Sequence, residues 1–365
     1  MKPTDFLVER RNIRTVVAHE YESGTLPAES VRLAVDRVAL TANNVTYAAS
    51  GETLKYWSFF HCHGADAAHY GLVPVWGSAT IIQSAVAGLE PGEQVFGFLP
   101  MATHVDIKPA KVRPESFSDA AEHRRDLPQF YNSYQRFTGP MAALDESMRD
   151  RLALLYPLFA TAFLLDDFLH ESSWFKADEL IITSASSKTA IGLAKLTAQR
   201  HQRPRVVGLT STANKAFVES LGCYDQVVLY ADLIDALGSA SAMLVDLAGN
   251  SEVRTRIHKT LGQNLLYSCA VGTSHWDQFR PTGAMPAGPR PVFFFAPSQL
   301  KKRRDDWGAA RLMQVMFESW YQLARDSEQW LAVMPVSGSE QVISTWQLMA
   351  DGNVSPAEGQ ILSFS

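Results

Sequence analysis

Between residues 178 and 273 the chain alternates between two kinds of segment, and this pattern constrains its fold more than any other feature. DELIITSAS (178–186), RVVGLTS (205–211), QVVLY (226–230), SAMLVDLAG (241–249) and NLLYSCAVGT (264–273) are uniformly apolar strand candidates. TAIGLAKLTAQRH (189–201) repeats apolar residues at helical spacing, and NKAFVESLG (214–222) reads as a short helix ending at Gly222. A strand with no polar face must be covered on both sides. Such strands separated by helices predict an α/β, doubly wound parallel sheet of the Rossmann kind.

The flanking regions differ. Residues 1–113 read as strands and turns. In VRLAVDRVAL (31–40), Val31, Leu33 and Val35 alternate with Arg32, Ala34 and Asp36, and GLEPGEQVFG (88–97) is a turn followed by a strand. A small β-rich, barrel-like or sandwich domain is expected there. Residues 114–150 are polar, aromatic and weakly periodic, and read as an insertion or lid with one short helix. The long apolar stretch RLALLYPLFATAFLLDDFLHES (151–172) leads into the first strand of the parallel sheet. The tail from Trp307 holds two helical segments and a closing strand, QILSF. The expected division is therefore 1–150 for the β-rich substrate domain, 151–306 for the Rossmann domain and 307–365 for a return to the first.

Composition narrows the function. With 33 Lys and Arg against 38 Asp and Glu the net charge is −5, which argues against a non-specific nucleic-acid binder. Cys62, Cys223 and Cys269 are far apart in sequence, so neither a disulfide framework nor a four-cysteine zinc lobe is expected. The N-terminus lacks an apolar signal core. No apolar run approaches the roughly 20 residues of a membrane span. A cytoplasmic location without membrane attachment is the expectation. KKRR (301–304) stands alone in an acidic chain and reads as a solvated face.

In a doubly wound sheet, ligands bind beyond the carboxyl ends of the strands. The first strand-to-helix turn is TSASSKTAIG (183–192). Ser184, Ala185, Ser186, Ser187, Thr189 and Ala190 are small enough to let a phosphate approach backbone N–H groups at a helix N-terminus, and Lys188 adds charge. A Ser-rich turn is also simply a good helix cap. A Walker A loop is excluded, because Ser187 precedes the lysine and Ile182 stands where the earlier glycine belongs. At the end of the second strand no acid is present to hold a ribose 2′-hydroxyl. Thr210, Ser211 and Lys215 suit a 2′-phosphate instead, which favours NADPH over NADH.

The order of these segments resembles the medium-chain dehydrogenase/reductase superfamily, especially its zinc-free quinone and enoyl reductase branches. GLEPGEQVFGFLP is similar to that family's turn-and-strand element in the N-terminal domain. VVGLTSTANKAFVESLGCYDQVV resembles its second strand, Lys-bearing helix and following turn. SAMLVDLAG and LLYSCAVGT match the later strands that flank the nicotinamide, bringing in Ala248 and Gly272. ISTWQLMADGNVSPAEGQILSF is similar to the C-terminal return. The resemblance implies a GroES-like substrate domain, NADPH as cofactor, a small-molecule substrate and a homodimer. It departs from the family at the A-x-x-G-x-x-G loop, where two glycines are missing. It departs also at the zinc positions: no Cys lies near Thr41 to Asn43, and Val75 and Trp76 stand where a His-Glu pair would be. No metal is expected.

Reduction without a metal needs a proton donor to a developing oxyanion and a dry pocket. Tyr47 matches a tyrosine often found in the quinone and enoyl reductases, and is the candidate proton donor or oxyanion anchor, assisted by Asn43 or Asn44. Trp57, Tyr131, Tyr134 and Arg136 are candidate substrate-binding residues, with Arg136 suited to a carboxylate or phosphate. His61 and His63 lack a third partner and read as core or surface histidines. Two functions stay open. One is zinc-independent NADPH-dependent reduction of a carbonyl or a conjugated alkene (enone, quinone or enoyl-type). The other is a non-catalytic nucleotide-binding sensor or scaffold with a degenerate cofactor loop.

Overall fold

The structure is a computed structural model that describes residues 2–271 and 287–364. It divides into two compact units, Met1–Leu154 with Leu331–Ser365, and Leu155–Trp330.

The first unit is β-rich. Its strands are β1 (Thr4–Glu9), β2 (Val16–Glu20), β3 (Val31–Leu40), β4 (Tyr70–Leu72), β5 (Pro74–Ser84), β6 (Gln94–Pro100), β7 (His104–Ile107), β8 (Pro109–Ala110), β9 (Ser116–Asp119) and β10 (Ser133–Arg136). β2, β1 and β4 form one small antiparallel sheet in that order. The larger sheet runs β3-β5-β6-β10-β9-β8, with β7 also paired to β3. Phe6, Leu7, Leu33, Phe98 and Phe117 are buried at its core.

Two departures from the sequence reading matter for the site. The segment ANNVTYAA is a helix, α1 (Ala42–Ala49), because Asn44 accepts the Thr41 N–H at 2.7 Å and so closes a capping box. Residues 116–136 are not a lid carrying a helix. They add β9 and β10 to the large sheet, with two short 3₁₀ turns (Glu122–Arg124 and Gln129–Asn132) between the strands.

The second unit is the doubly wound sheet. Its parallel strands are β11 (Glu179–Ile182), β12 (Arg205–Thr210), β13 (Gln226–Leu229), β14 (Ala242–Asp246), β15 (Leu265–Ala270) and β16 (Val292–Phe293). Among the described residues their order is β13-β12-β11-β14-β15-β16, which reverses at β11 and opens the crevice typical of nucleotide sites. The helices in chain order are α2 (Glu146–Glu171), α3 (Lys188–Ala198), α4 (Lys215–Ser220), α5 (Leu233–Ala236), α6 (Ser251–Leu261), α7 (Ala296–Trp307) and α8 (Ala309–Asp326). Ile181, Val207, Leu209, Val228, Leu244 and Ile257 form one apolar cluster on this sheet.

α2 carries an apolar stretch long enough to cross a membrane, with mean hydropathy 1.7, contrary to the reading from sequence. Most of that stretch, 72%, is buried in the protein's own packing, which is how a core helix behaves. α8 also belongs to the second unit, so the return begins at Leu331 and not at residue 307. The reason is packing: Trp320 is wholly buried edge-on to Tyr156, and Asp326 pairs with Lys195 at 2.8 Å. The basic run 301–304 lies on α7, where three of its four charges are paired locally. Lys301 pairs with Asp305 and Lys302 with Glu171 and Asp306, while Arg303, only 9% exposed, reaches Asp167.

After the second unit, β17 (Ala332–Ser337) and β18 (Glu358–Ser363) extend the large sheet of the first unit beyond β3, joined by α9 (Ser339–Ala350).

Candidate functional site

In the second unit the turn from β11 to α3 is braced from below. Thr183, wholly buried, donates its hydroxyl to Asp246 at 2.9 Å and accepts the Leu247 and Ala248 N–H groups at 2.9 and 3.0 Å. Asp246 is held in turn by Arg254 at 3.0 Å. The carboxyl ends of β11 and β14 are thereby tied together. Sequence reading missed this brace, since the Thr183–Asp246 pairing links positions 63 apart.

Above this brace Ser184 takes a left-handed backbone, φ 53°, which costs a non-glycine residue about 1–2 kcal/mol. Its N–H donates to the Tyr230 hydroxyl at 2.7 Å, and the Ala185 N–H donates to the Leu209 carbonyl at 3.0 Å. The Tyr224 hydroxyl closes on the Ala185 carbonyl at 2.8 Å, and Gly208 leaves room for that ring: a Cβ there would stand 2.7 Å from it. Ser187 caps α3, accepting the Ala190 N–H at 3.3 Å, and the Ser186 hydroxyl accepts from Asn214 at 3.1 Å.

Two backbone N–H groups, of Ser186 and Thr189, have no acceptor among the described residues. They open at the N-terminus of an eleven-residue helix, where the peptide dipoles favour an anion. Half-buried Lys188 stands there too, its ammonium pushed down to about 8 by desolvation. Ala190 is fully buried, so the helix start is closely packed despite the absent glycine. At the end of β12, Thr210 is buried, Ser211 is exposed, and half-buried Lys215 has a loose partner in Glu219 at 3.8 Å. Ala248 lies just beyond β14 on the Thr183 hydroxyl. Gly272 lies outside the described residues.

In the first unit an aromatic cluster gathers around Tyr47. Its ring stacks on Tyr56 at 4.2 Å and meets Tyr131 and Phe98 edge-on at 6.4 and 5.7 Å. The Tyr56 and Tyr131 hydroxyls are 3.3 Å apart, and the Tyr47 hydroxyl adjoins Tyr131, Asn43 and Trp76. Burial and mutual repulsion hold all three phenols well above their ordinary pKa, so each is a neutral proton donor at physiological pH. Phe59, Trp76 and Phe130 complete the walls. Tyr47, Asn43 and Tyr131 are thus brought together, and Tyr56 and Trp76 join them.

Three other substrate-binding candidates stand elsewhere. Trp57 is buried on Gly51 and Gly71, whose missing side chains leave space for its ring. Tyr134 is wholly buried, donates to the Phe98 carbonyl at 2.8 Å and stacks on Phe117. Arg136 is committed to Glu93 at 2.5 Å and the Arg113 carbonyl at 3.0 Å, so it does not greet a substrate anion. Asn44 is the capping residue of α1 and also donates to the Pro74 carbonyl. His63 bonds to buried Asp5 and stacks on Tyr21, and His61 lies against His123. Among the described residues no group of three or more His, Cys, Asp or Glu is placed to hold a metal ion.

What positions Tyr131 is Arg124, which the sequence did not reveal. It is 1% exposed and donates to Asn132 at 2.9 Å, Asp119 at 2.7 Å, Tyr134 at 3.0 Å and the Tyr131 carbonyl at 2.8 Å. Its guanidinium also lies over the Phe59 and Phe60 rings.

No curated protein matches the chain by sequence. Several solved structures share its fold, that of the medium-chain reductases. CurA from Vibrio vulnificus, solved in complex with NADPH, has a TM-score of 0.60 at 12% identity, over 96% of this chain and 94% of that one. The quinone oxidoreductase from Coxiella burnetii has a TM-score of 0.55 at 14% identity, over the whole of both chains. The yhdH oxidoreductase from Salmonella enterica, solved with NADP, has a TM-score of 0.52 at 12% identity, over 99% of this chain and 100% of that one. A family model described as protein of unknown function (DUF2855) matches residues 38–355, and the chain belongs to that family.

Proposed function

We propose that the protein is an NADPH-dependent reductase of an enone, quinone or related carbonyl compound. The observation that carries this reading is the β11–α3 turn, with two open N–H groups beside the half-buried Lys188 ammonium. These groups fit a diphosphate: amides and helix dipole for the oxygens, one cation for the charge. Lys215, Ser211 and Thr210 suit a 2′-phosphate, which would compete for Lys215 with its loose partner Glu219 at 3.8 Å. The NADPH and NADP held by CurA and yhdH support the same choice. The bound cofactor supplies a hydride to a carbon of the substrate.

The chain's own residues do the rest. The aromatic walls exclude water and orient a planar substrate, and Tyr47 gives its proton to the substrate oxygen as negative charge collects there. Tyr131 and Tyr56 polarise that hydroxyl through the shared contacts of the three phenols.

The test is NADPH oxidation with a panel of quinones and enones. Tyr47→Phe keeps the ring and removes the proton. It is expected to lower kcat about 100-fold with little change in KM. Turnover unchanged in Tyr47→Phe removes Tyr47 from the mechanism. NADPH bound without turnover on any substrate points to a nucleotide sensor instead, a reading favoured by one observation: the Ser184 N–H is already taken by Tyr230.

A further inference from the structure

Trp76 is buried, 7% exposed, and its indole N–H has no hydrogen-bond partner of ordinary geometry among the described residues. A buried donor left unpaired costs about 1–3 kcal/mol, so a fold that keeps one there calls for a reason. Its position supplies one. The ring lies on β5, walled by Phe96 at 5.8 Å, Phe98 at 5.1 Å, Phe130 at 5.4 Å and Tyr131 at 6.1 Å, and its N–H adjoins the Tyr47 hydroxyl without making a bond of ordinary geometry. An N–H and a phenolic O–H therefore converge within an aromatic cluster whose charged neighbour, the Arg124 guanidinium over the Phe59 ring at 5.4 Å, is itself bound to Asp119 at 2.7 Å. Arg136, the cation expected from the sequence to meet a substrate anion, is committed to Glu93.

We propose that Trp76 is a catalytic residue whose indole N–H, together with the Tyr47 hydroxyl, binds the carbonyl oxygen of an uncharged, planar, conjugated substrate. This rests on the reductase reading and names the substrate more closely: a ring-borne carbonyl such as a quinone or cyclic enone, without a carboxylate or phosphate at the reacting end. The two donors act where charge develops. As hydride adds to carbon, the π pair moves onto oxygen, the Trp76 N–H stabilises that oxygen without giving up its proton, and the Tyr47 O–H bond breaks to protonate it. The nicotinamide is oxidised by two electrons and the substrate reduced by two.

A cofactor-free experiment separates this proposal from the nucleotide reading. The probe is 4-nitrophenol, whose phenolate mimics the developing oxyanion and is read by its absorption. Wild-type protein is expected to bind it more ionised than it is free at the same pH, and Trp76→Phe to bind the phenolate about 10-fold more weakly. Eight tryptophans give eight indole N–H resonances in ¹⁵N-labelled wild-type protein, and that of Trp76 is identified by cross-relaxation to the Phe96 and Phe98 rings, which holds even if the variant does not fold. That resonance is expected to move downfield as the probe binds. A stationary resonance, unchanged affinity in folded Trp76→Phe, or no ionised binding to the wild type overturns the proposal. NADPH binding can succeed or fail independently of all three.

Discussion

Lys188 carries the positive charge of the β11–α3 loop. Its folded pKa, about 8, lies below its ordinary value of 10.5, so the folded protein binds fewer protons than the unfolded chain between those two pH values. Stability therefore rises with pH across that window, and the cost of the desolvated ammonium is fully present below pH 8. A bound phosphate reverses the preference by stabilising the charged form. NADPH affinity is accordingly expected to be highest below pH 8 and to fall by up to tenfold per pH unit above it. Titrations at pH 7 and 9 check this, with Lys188→Ala losing the dependence; a flat profile in the wild type removes Lys188 from the site. The place of Lys188 at the start of a helix was legible from the sequence because it follows a Ser-rich turn after a buried strand. Thr183, Asp246 and Tyr230 were not, because their contacts with the loop bridge 46 to 63 positions and leave no local pattern.

At the scale of elements, the apolar strands β11, β12, β14 and β15 were readable because both their faces are covered, which demands uniform apolar runs. The strands of residues 116–136 were not. They are four residues long and mostly polar, each with a single buried aromatic ring, Phe117 or Tyr134, and a buried arginine between them in sequence ties Asp119 to Tyr134. β17 was hidden for a related reason: it is mostly exposed and contains Pro335, which a strand tolerates at a sheet edge. Arg124 therefore bears on both stability and site. Arg124→Met leaves the Asp119 carboxylate buried without its cation and is expected to cost about 3–5 kcal/mol, read from denaturant unfolding. Its loss also frees the Tyr131 carbonyl, so kcat should drop in whatever fraction remains folded. A loss under about 1 kcal/mol contradicts the account of the insertion as a strut for Tyr131.

On the scale of the whole molecule, the sequence carried the fold class because two different periodicities, alternating and uniform, mark two different kinds of sheet. The boundary of the return was placed too early because α8 is amphipathic and gives no sign of which unit it covers. Trp320 and Asp326 settle it by packing against α2 and α3. The loop that departs most from the reductase pattern is also the place where the central claim is most exposed, since a serine there does what glycine ordinarily does. The most direct test is a fluorescence titration of the wild-type protein with NADPH and NADH, repeated on Lys188→Ala and Lys215→Ala. The account predicts that NADPH binds at least tenfold more tightly than NADH, that Lys215→Ala erases most of that preference, and that Lys188→Ala weakens both nucleotides by about tenfold. Absence of binding by either nucleotide contradicts it.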